Sequence, residues 1–174
     1  HRYLSLAEFR RLGDVLAAAE RGPVEVPGEP EPVRLSPIAL AAIGLLIFTG
    51  ARRGEILSLQ WEHVDFERGE VAIRRSIAHV GDELREKDTK THQQRGVVLD
   101  PETAEVLRER RARAEARARA LGSSLVPDCY VFSSDPESRM PTNPDAVTQR
   151  YKRMANSLGI ETTLKSLRHY TATE

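Results

Sequence analysis

The chain has 174 residues, 40% of them hydrophobic and 30% charged, which sets disorder aside and allows one compact domain with a core of its own. Its 26 Lys and Arg balance 26 Asp and Glu, so bulk charge argues for no polyanionic or membrane partner, and any basic surface must come from local clustering. Cys129 is the single cysteine, CxxC and HExxH spacings do not occur, residues 1–20 lack a signal-peptide pattern, and the most apolar stretch, Ile38 to Phe48, falls short of the ~20 residues of a membrane span; a soluble protein of a reducing, intracellular compartment is expected.

Ser5-Leu6-Ala7-Glu8 has the form of a capping box, and Leu6, Phe9, Leu12 and Leu16 make one apolar face behind it, which predicts a helix to about Glu20. Residues 21–35 hold four prolines and three glutamates, a loop composition. Ser36-Pro37 then places a cap and a first-turn proline before a run that is apolar on every side, as in a helix buried at the centre of a domain. Thr49-Gly50 punctuates that run, and a short helix is expected from about Arg52 to Leu59.

Between Asp65 and Leu99 the period changes, and three short antiparallel strands are predicted: Glu70 to Ala78, Leu84 to Asp88, and Arg95 to Leu99. Pro101 opens a long helix to about Leu121, with Leu107, Ala114, Ala118 and Leu121 inward and its arginines on a solvated face. Asn143-Pro144 caps a helix whose Val147, Tyr151, Met154 and Leu158 share a face and which Gly159 ends; a last helix begins near Lys165 or Ser166. The elements add up to an α+β, mainly α-helical fold, with helices around a buried central helix and a small three-stranded antiparallel sheet.

Three separated sets of cations stand out. Arg52 and Arg53 follow the buried helix at the lip of a core; Glu55, three residues after Arg52, is either a holder of its guanidinium or half of an ordinary surface ion pair. Lys90 sits in the polar turn Asp88-Thr89-Lys90-Thr91-His92, where a lysine is ordinarily just solvated. Lys165 and Arg168 are three apart on one helix face, a like-charged pair that costs stability unless an anion lies between them. From Arg139 onward six basic residues face three acidic ones, a mild excess. Trp61 and Cys129 read as packing residues, and His63, His79 and His92 as surface ones without ligand spacing.

Taken jointly, Thr49-Gly50-Ala51-Arg52-Arg53-Gly54-Glu55-Ile56-Leu57-Ser58-Leu59-Gln60-Trp61, Thr89-Lys90-Thr91 with Arg95-Gly96-Val97-Val98-Leu99 behind it, and Leu164-Lys165-Ser166-Leu167-Arg168-His169 resemble the catalytic domain of the tyrosine recombinases, the phage integrase family. The resemblance extends over nearly the whole chain. It implies that Arg52 and Arg168 are the two catalytic arginines, Lys90 the β-hairpin lysine, and Lys165 the residue that is usually histidine in HxxR. Arg95 would join these four in contacting DNA, and Glu55 and His169 would support them from behind. The family's nucleophilic tyrosine lies beyond HxxR, whereas Tyr3, Tyr130, Tyr151 and Tyr170 precede that motif or sit too near it; the chain is expected to be a partial catalytic domain with neither the tyrosine segment nor the N-terminal DNA clamp.

The resemblance further implies a double-stranded DNA recombination or attachment site as partner, a homo-tetramer in the active synapse, no cofactor or metal, and a cytoplasmic bacterial, phage or mobile-element protein. The fragment itself would be inactive. Two other readings compete: a DNA-binding or regulatory relative that never cleaves, and a helical interaction module without affinity for DNA. The proton donor Lys90 beside intact Arg52 and Arg168 favours the recombinase.

Overall fold

The computed structural model describes residues 4–21, 37–88, 94–133 and 135–173. It divides into two compact units: His1–Arg53 together with Asp145–Glu174, and the continuous segment Gly54–Pro144 between them.

The discontinuous unit is helical. Helix α1, Leu6–Arg21, starts on the predicted capping box: the Glu8 backbone N–H donates to Ser5 Oγ at 3.2 Å and the Ser5 N–H donates to Glu8 Oε2 at 2.9 Å. Leu12 and Leu16 are buried as expected, but Leu6 is 48% exposed and Leu4 takes the inner place instead. Helix α2, Pro37–Thr49, packs on α1 and on the last helix, and Ala41, Ala42, Ile43, Leu45, Leu46 and Ile47 are all buried, so it is the central helix its all-round apolarity predicts. Gly50, at a φ of 66°, ends it.

Helix α5, Pro144–Ser157, buries Val147, Tyr151 and Met154 on one face, with Leu158 just beyond its end. Its terminus is closed by Gly159 at a φ of 68°: the Ile160 N–H reaches Ala155 O at 2.9 Å and the Gly159 N–H reaches Asn156 O at 3.0 Å. Arg11 Nη1 donates to Leu158 O at 3.1 Å, tying α1 to the same corner. Helix α6, Leu164–Thr173, follows.

Helix α3, Arg53–Leu57, has all but its first residue in the continuous unit, and a 3-10 turn, Trp61–His63, follows it. Strands β1, Val64–Asp65, and β2, Glu70–Ile73, pair antiparallel, and β2 also pairs with β5, Arg95–Val98, so the three-stranded sheet has the order β1-β2-β5. Val71 stands opposite both Val64 and Val97. The single strand expected from Glu70 to Ala78 is split at Arg74: residues before it pair with β5, and those after it, β3, Arg75–Val80, pair with β4, Glu83–Asp88, in a separate two-stranded ribbon. Periodicity alone does not reveal such a break, because the inward pattern Val71, Ile73, Ile77 runs through it unchanged.

Helix α4, Pro101–Ala120, is capped by Asp100, whose Oδ1 accepts from the Thr103 N–H at 2.8 Å. Leu107, Ala114 and Ala118 are buried as predicted, whereas Leu121 is 55% exposed. One arginine departs from the expected solvated face. Arg110 is buried, its Nε donates to Val131 O at 2.7 Å, and its guanidinium lies 4.9 Å from the Phe132 ring centroid, so a carbonyl and a π face replace the water it gives up.

His63 is a second correction. It is buried rather than superficial, and its Nδ1 accepts from the Gln60 N–H at 3.3 Å. Burial lowers its pKa below the ordinary 6.5, against the opposing pull of Glu62. The unfolded chain binds a proton near pH 6.5 that the folded state resists, so this contribution to stability is complete above that pH and is lost as pH falls towards the folded pKa. Thermal unfolding followed from about pH 7.5 to about pH 5 should show the loss. His63→Gln should flatten that part of the profile, and an unchanged profile would refute the assignment.

Candidate phosphate-binding cleft

Within the discontinuous unit, Arg52, Arg53, Lys165 and Arg168 line one cleft of about 360 Å³, with Leu46 and Ala51 at its base and Thr148 and Thr163 on its walls. Gly50 creates the approach. Its left-handed conformation turns the chain out of α2 as its N–H closes on Leu46 O at 3.1 Å, and the Ala51 N–H is caught by Thr49 Oγ1 at 3.1 Å. Arg52 is thereby delivered, exposed, just before the first residue of α3.

Thr163 is the N-cap of α6, accepting from the Ser166 N–H at 3.2 Å, so the helix starts at Leu164, slightly earlier than expected. Leu164 and Leu167 are buried and anchor the turn, which leaves Lys165 exposed in it. A cation there opposes the helix dipole, and an anion in the cleft satisfies both the lysine and the helix terminus. Arg168 lies one turn on. Its Nε donates to Gly50 O at 2.8 Å, which fixes the plane of the guanidinium across the end of α2. Four cations share this cleft, no carboxylate occurs among its described lining residues, and no described group of three or more His, Cys, Asp or Glu side chains could hold a metal ion. A phosphate or sulfate in the cleft would be attracted by all four.

Arg52, Lys165 and Arg168 are therefore brought together, as the sequence suggests. Arg53 and Thr148 enter with them. The tandem arginines were visible in the sequence, but a threonine 95 residues away, whose Oγ1 accepts from Arg53 Nη1, carries no local signal.

Glu55 belongs to the continuous unit. It is 4% exposed, and Arg95 Nη2 on β5 donates to its Oε2 at 2.7 Å. That ion pair ties the start of α3 to the sheet, and Arg95 is thus engaged by a buried carboxylate. Lys90 lies outside the described residues, as does the side chain of His169. Of the tyrosines, the Tyr130 hydroxyl donates to Glu86 Oε1 at 3.0 Å and its pKa is pushed up to about 12 by burial and by that carboxylate; burial raises Tyr151 well above the usual phenol range.

A sequence profile of the phage integrase family matches residues 25–174, and the chain belongs to that family. Over 150 residues it is 30% identical to a XerC-like tyrosine recombinase of Caldanaerobacter subterraneus subsp. tengcongensis, with 78% of this chain and 38% of that protein covered. The fold is similar to that of XerA recombinase, at 20% identity and a TM-score of 0.63, covering 99% of this chain and 50% of the other. It is likewise similar to the Tn1549 transposon integrase in complex with a circular intermediate DNA, at 16% identity and a TM-score of 0.67 over 99% and 52% of the two chains. The integrase from mycobacterium phage Brujita gives 17% identity and a TM-score of 0.62 over 99% and 43%. The chain thus spans about half the length, or less, of the relatives it matches. No described helix is long and apolar enough to cross a membrane.

Proposed function

We propose that these 174 residues are part of the catalytic domain of a site-specific DNA recombinase that cuts and rejoins double-stranded DNA through a 3′-phosphotyrosine. The observation that carries this reading is the convergence of Arg52, Lys165 and Arg168 on one cleft in a chain of the phage integrase family. In this chemistry a tyrosine oxygen attacks the phosphorus, the P–O5′ bond breaks, and the 5′-oxygen leaves as a hydroxyl once it gains a proton. The phosphodiester energy is kept in the new P–O bond, so rejoining is the reverse step and needs no nucleotide cofactor.

The residue types suit the task. A guanidinium stays protonated at any working pH and offers paired donors, so Arg52 and Arg168 meet the charge that grows on the two non-bridging oxygens. Lys165 adds a third charge at the helix terminus and is assigned either the tyrosine proton or a hold on the phosphate. Lys90 is assigned the proton for the leaving 5′-oxygen. Glu55 and Arg95 are assigned a part at one remove, through the ion pair that holds α3 to β5; Arg95 is further assigned a contact with DNA, and His169 a supporting role beside Arg168. The working form is a homo-tetramer on paired DNA sites, in the cytoplasm of a bacterium or the host of a phage or mobile element.

The attacking tyrosine is a residue other than the four in this chain. Tyr130 is committed to Glu86 and Tyr151 is buried, and both are harder to ionise than a free phenol. A nicked suicide DNA substrate tests the proposal: the full-length protein should give a protein–DNA adduct that survives denaturant, and the 174-residue chain should give none. An adduct formed by the chain alone would place the nucleophile among these tyrosines. Salt-sensitive binding by the full-length protein without any adduct would favour the non-cleaving relative.

A further inference from the structure

Arg53 is a cation of the cleft that phosphoryl transfer does not require, since two arginine forks and a lysine already meet the charge on one phosphate. Its anchoring is distinctive. Nη1 donates to Thr148 Oγ1 on α5, while Nη2 lies 3.4 Å from Asp145 Oδ1, one turn earlier on the same helix. The threonine fixes the guanidinium on the cleft wall, and the carboxylate neutralises it from the outer side. Both partners of the ion pair remain accessible, Arg53 at 39% and Asp145 at 49% side-chain exposure. A pair so exposed adds little to stability, so another anion can displace the carboxylate at small cost. A DNA phosphate is such an anion, with one negative charge shared by two non-bridging oxygens that can accept from a guanidinium.

We propose that Arg53 binds a DNA phosphate other than the one that reacts, and that Asp145 holds its guanidinium until DNA takes the carboxylate's place. The inference rests on the recombinase reading above and adds to it a binding residue and a built-in competitor. Arg53 would thus secure the backbone beside the reaction while Arg52 and Arg168 stabilise the reaction itself.

The test is binding of the full-length protein to a labelled duplex of about 30 base pairs and arbitrary sequence, followed by anisotropy from about 50 to 200 mM salt. Arg53→Gln should weaken binding several-fold at low salt and reduce the slope of log K against log[salt] by about 0.9, the loss of one phosphate contact. Arg53→Lys should restore the slope, since it keeps the charge. Asp145→Asn should tighten binding a few-fold, and that gain should shrink when Arg53 is already glutamine. A slope unaltered by Arg53→Gln, or the same gain from Asp145→Asn in both backgrounds, would overturn the proposal while leaving the recombinase reading intact. If the unaltered protein shows no salt-dependent binding to duplex DNA, the recombinase reading falls and this inference with it.

Discussion

Arg168→Ala in the full-length protein is expected to slow DNA cleavage at saturating substrate by roughly 10²–10³-fold while weakening the DNA complex by less than about tenfold, the pattern of a donor whose main partner is charge that develops in the transition state. The structure gives the reason for that asymmetry. Arg168 is held from behind by the Gly50 carbonyl and stands in the cleft with Arg52 and Lys165, so the binding groups around it survive its removal. Arg168→Lys should recover little, because an ammonium cannot offer parallel donors while also reaching Gly50 O. Single-turnover cleavage of a nicked duplex, with gel mobility for the complex, separates the two effects. Loss of binding with full cleavage at saturation would remove Arg168 from the reaction centre.

Gly54→Ala is expected to destabilise the protein by about 1–3 kcal/mol, although alanine is the better helix former. A Cβ built at Gly54 falls inside the contact distance of the Ile77 carbonyl oxygen and 2.6 Å from Ser76 Oγ, so α3 and β3 could not keep their present approach. The obstacle is backbone on one side, which cannot rotate away. Gly44 supplies the control with the opposite sign. It lies within α2 with nothing among the described residues within 4 Å of its Cβ position, and Gly44→Ala should stabilise by up to about 1 kcal/mol. Urea titrations of the two variants decide the matter, and a neutral Gly54→Ala would mean that α3 and β3 have slack between them.

What the sequence disclosed and what it hid follow the range of the interactions involved. The Ser5–Glu8 box, the helix start at Pro101 and the glycine stops at Gly50 and Gly159 depend on residues a few positions apart, and all were legible. The central place of α2 was legible too, because a helix apolar on every side has nowhere else to go. Burial of Arg110 depends on Val131 and Phe132, 21 and 22 residues away, and charge alone points to solvent for such a residue. His63 is of the same kind. The strand break at Arg74 is set by competition between β4 and β5 for partners, which an uninterrupted pattern conceals. At the cleft, Arg52, Lys165 and Arg168 were singled out by their motifs and do line one pocket, whereas Thr148 and Asp145 belong to no motif and come to notice only through contact with Arg53.

The two residues that flank the continuous unit, Arg53 and Asp145, are the ones joined by the ion pair, so the chain leaves the helical unit and re-enters it at nearly one point. During synthesis this has a cost in time. Helix α2 emerges with its apolar surface complete, but α6, which packs on it, follows only after the whole of Gly54–Pro144 has been made. At cellular elongation rates that delay is on the order of ten seconds. The inserted segment, continuous in sequence, can fold as it emerges, while α1 and α2 wait as an open hydrophobic pair. Nascent chains of this protein should therefore lean on ribosome-associated chaperones during that interval, more than chains whose neighbouring helices are adjacent in sequence.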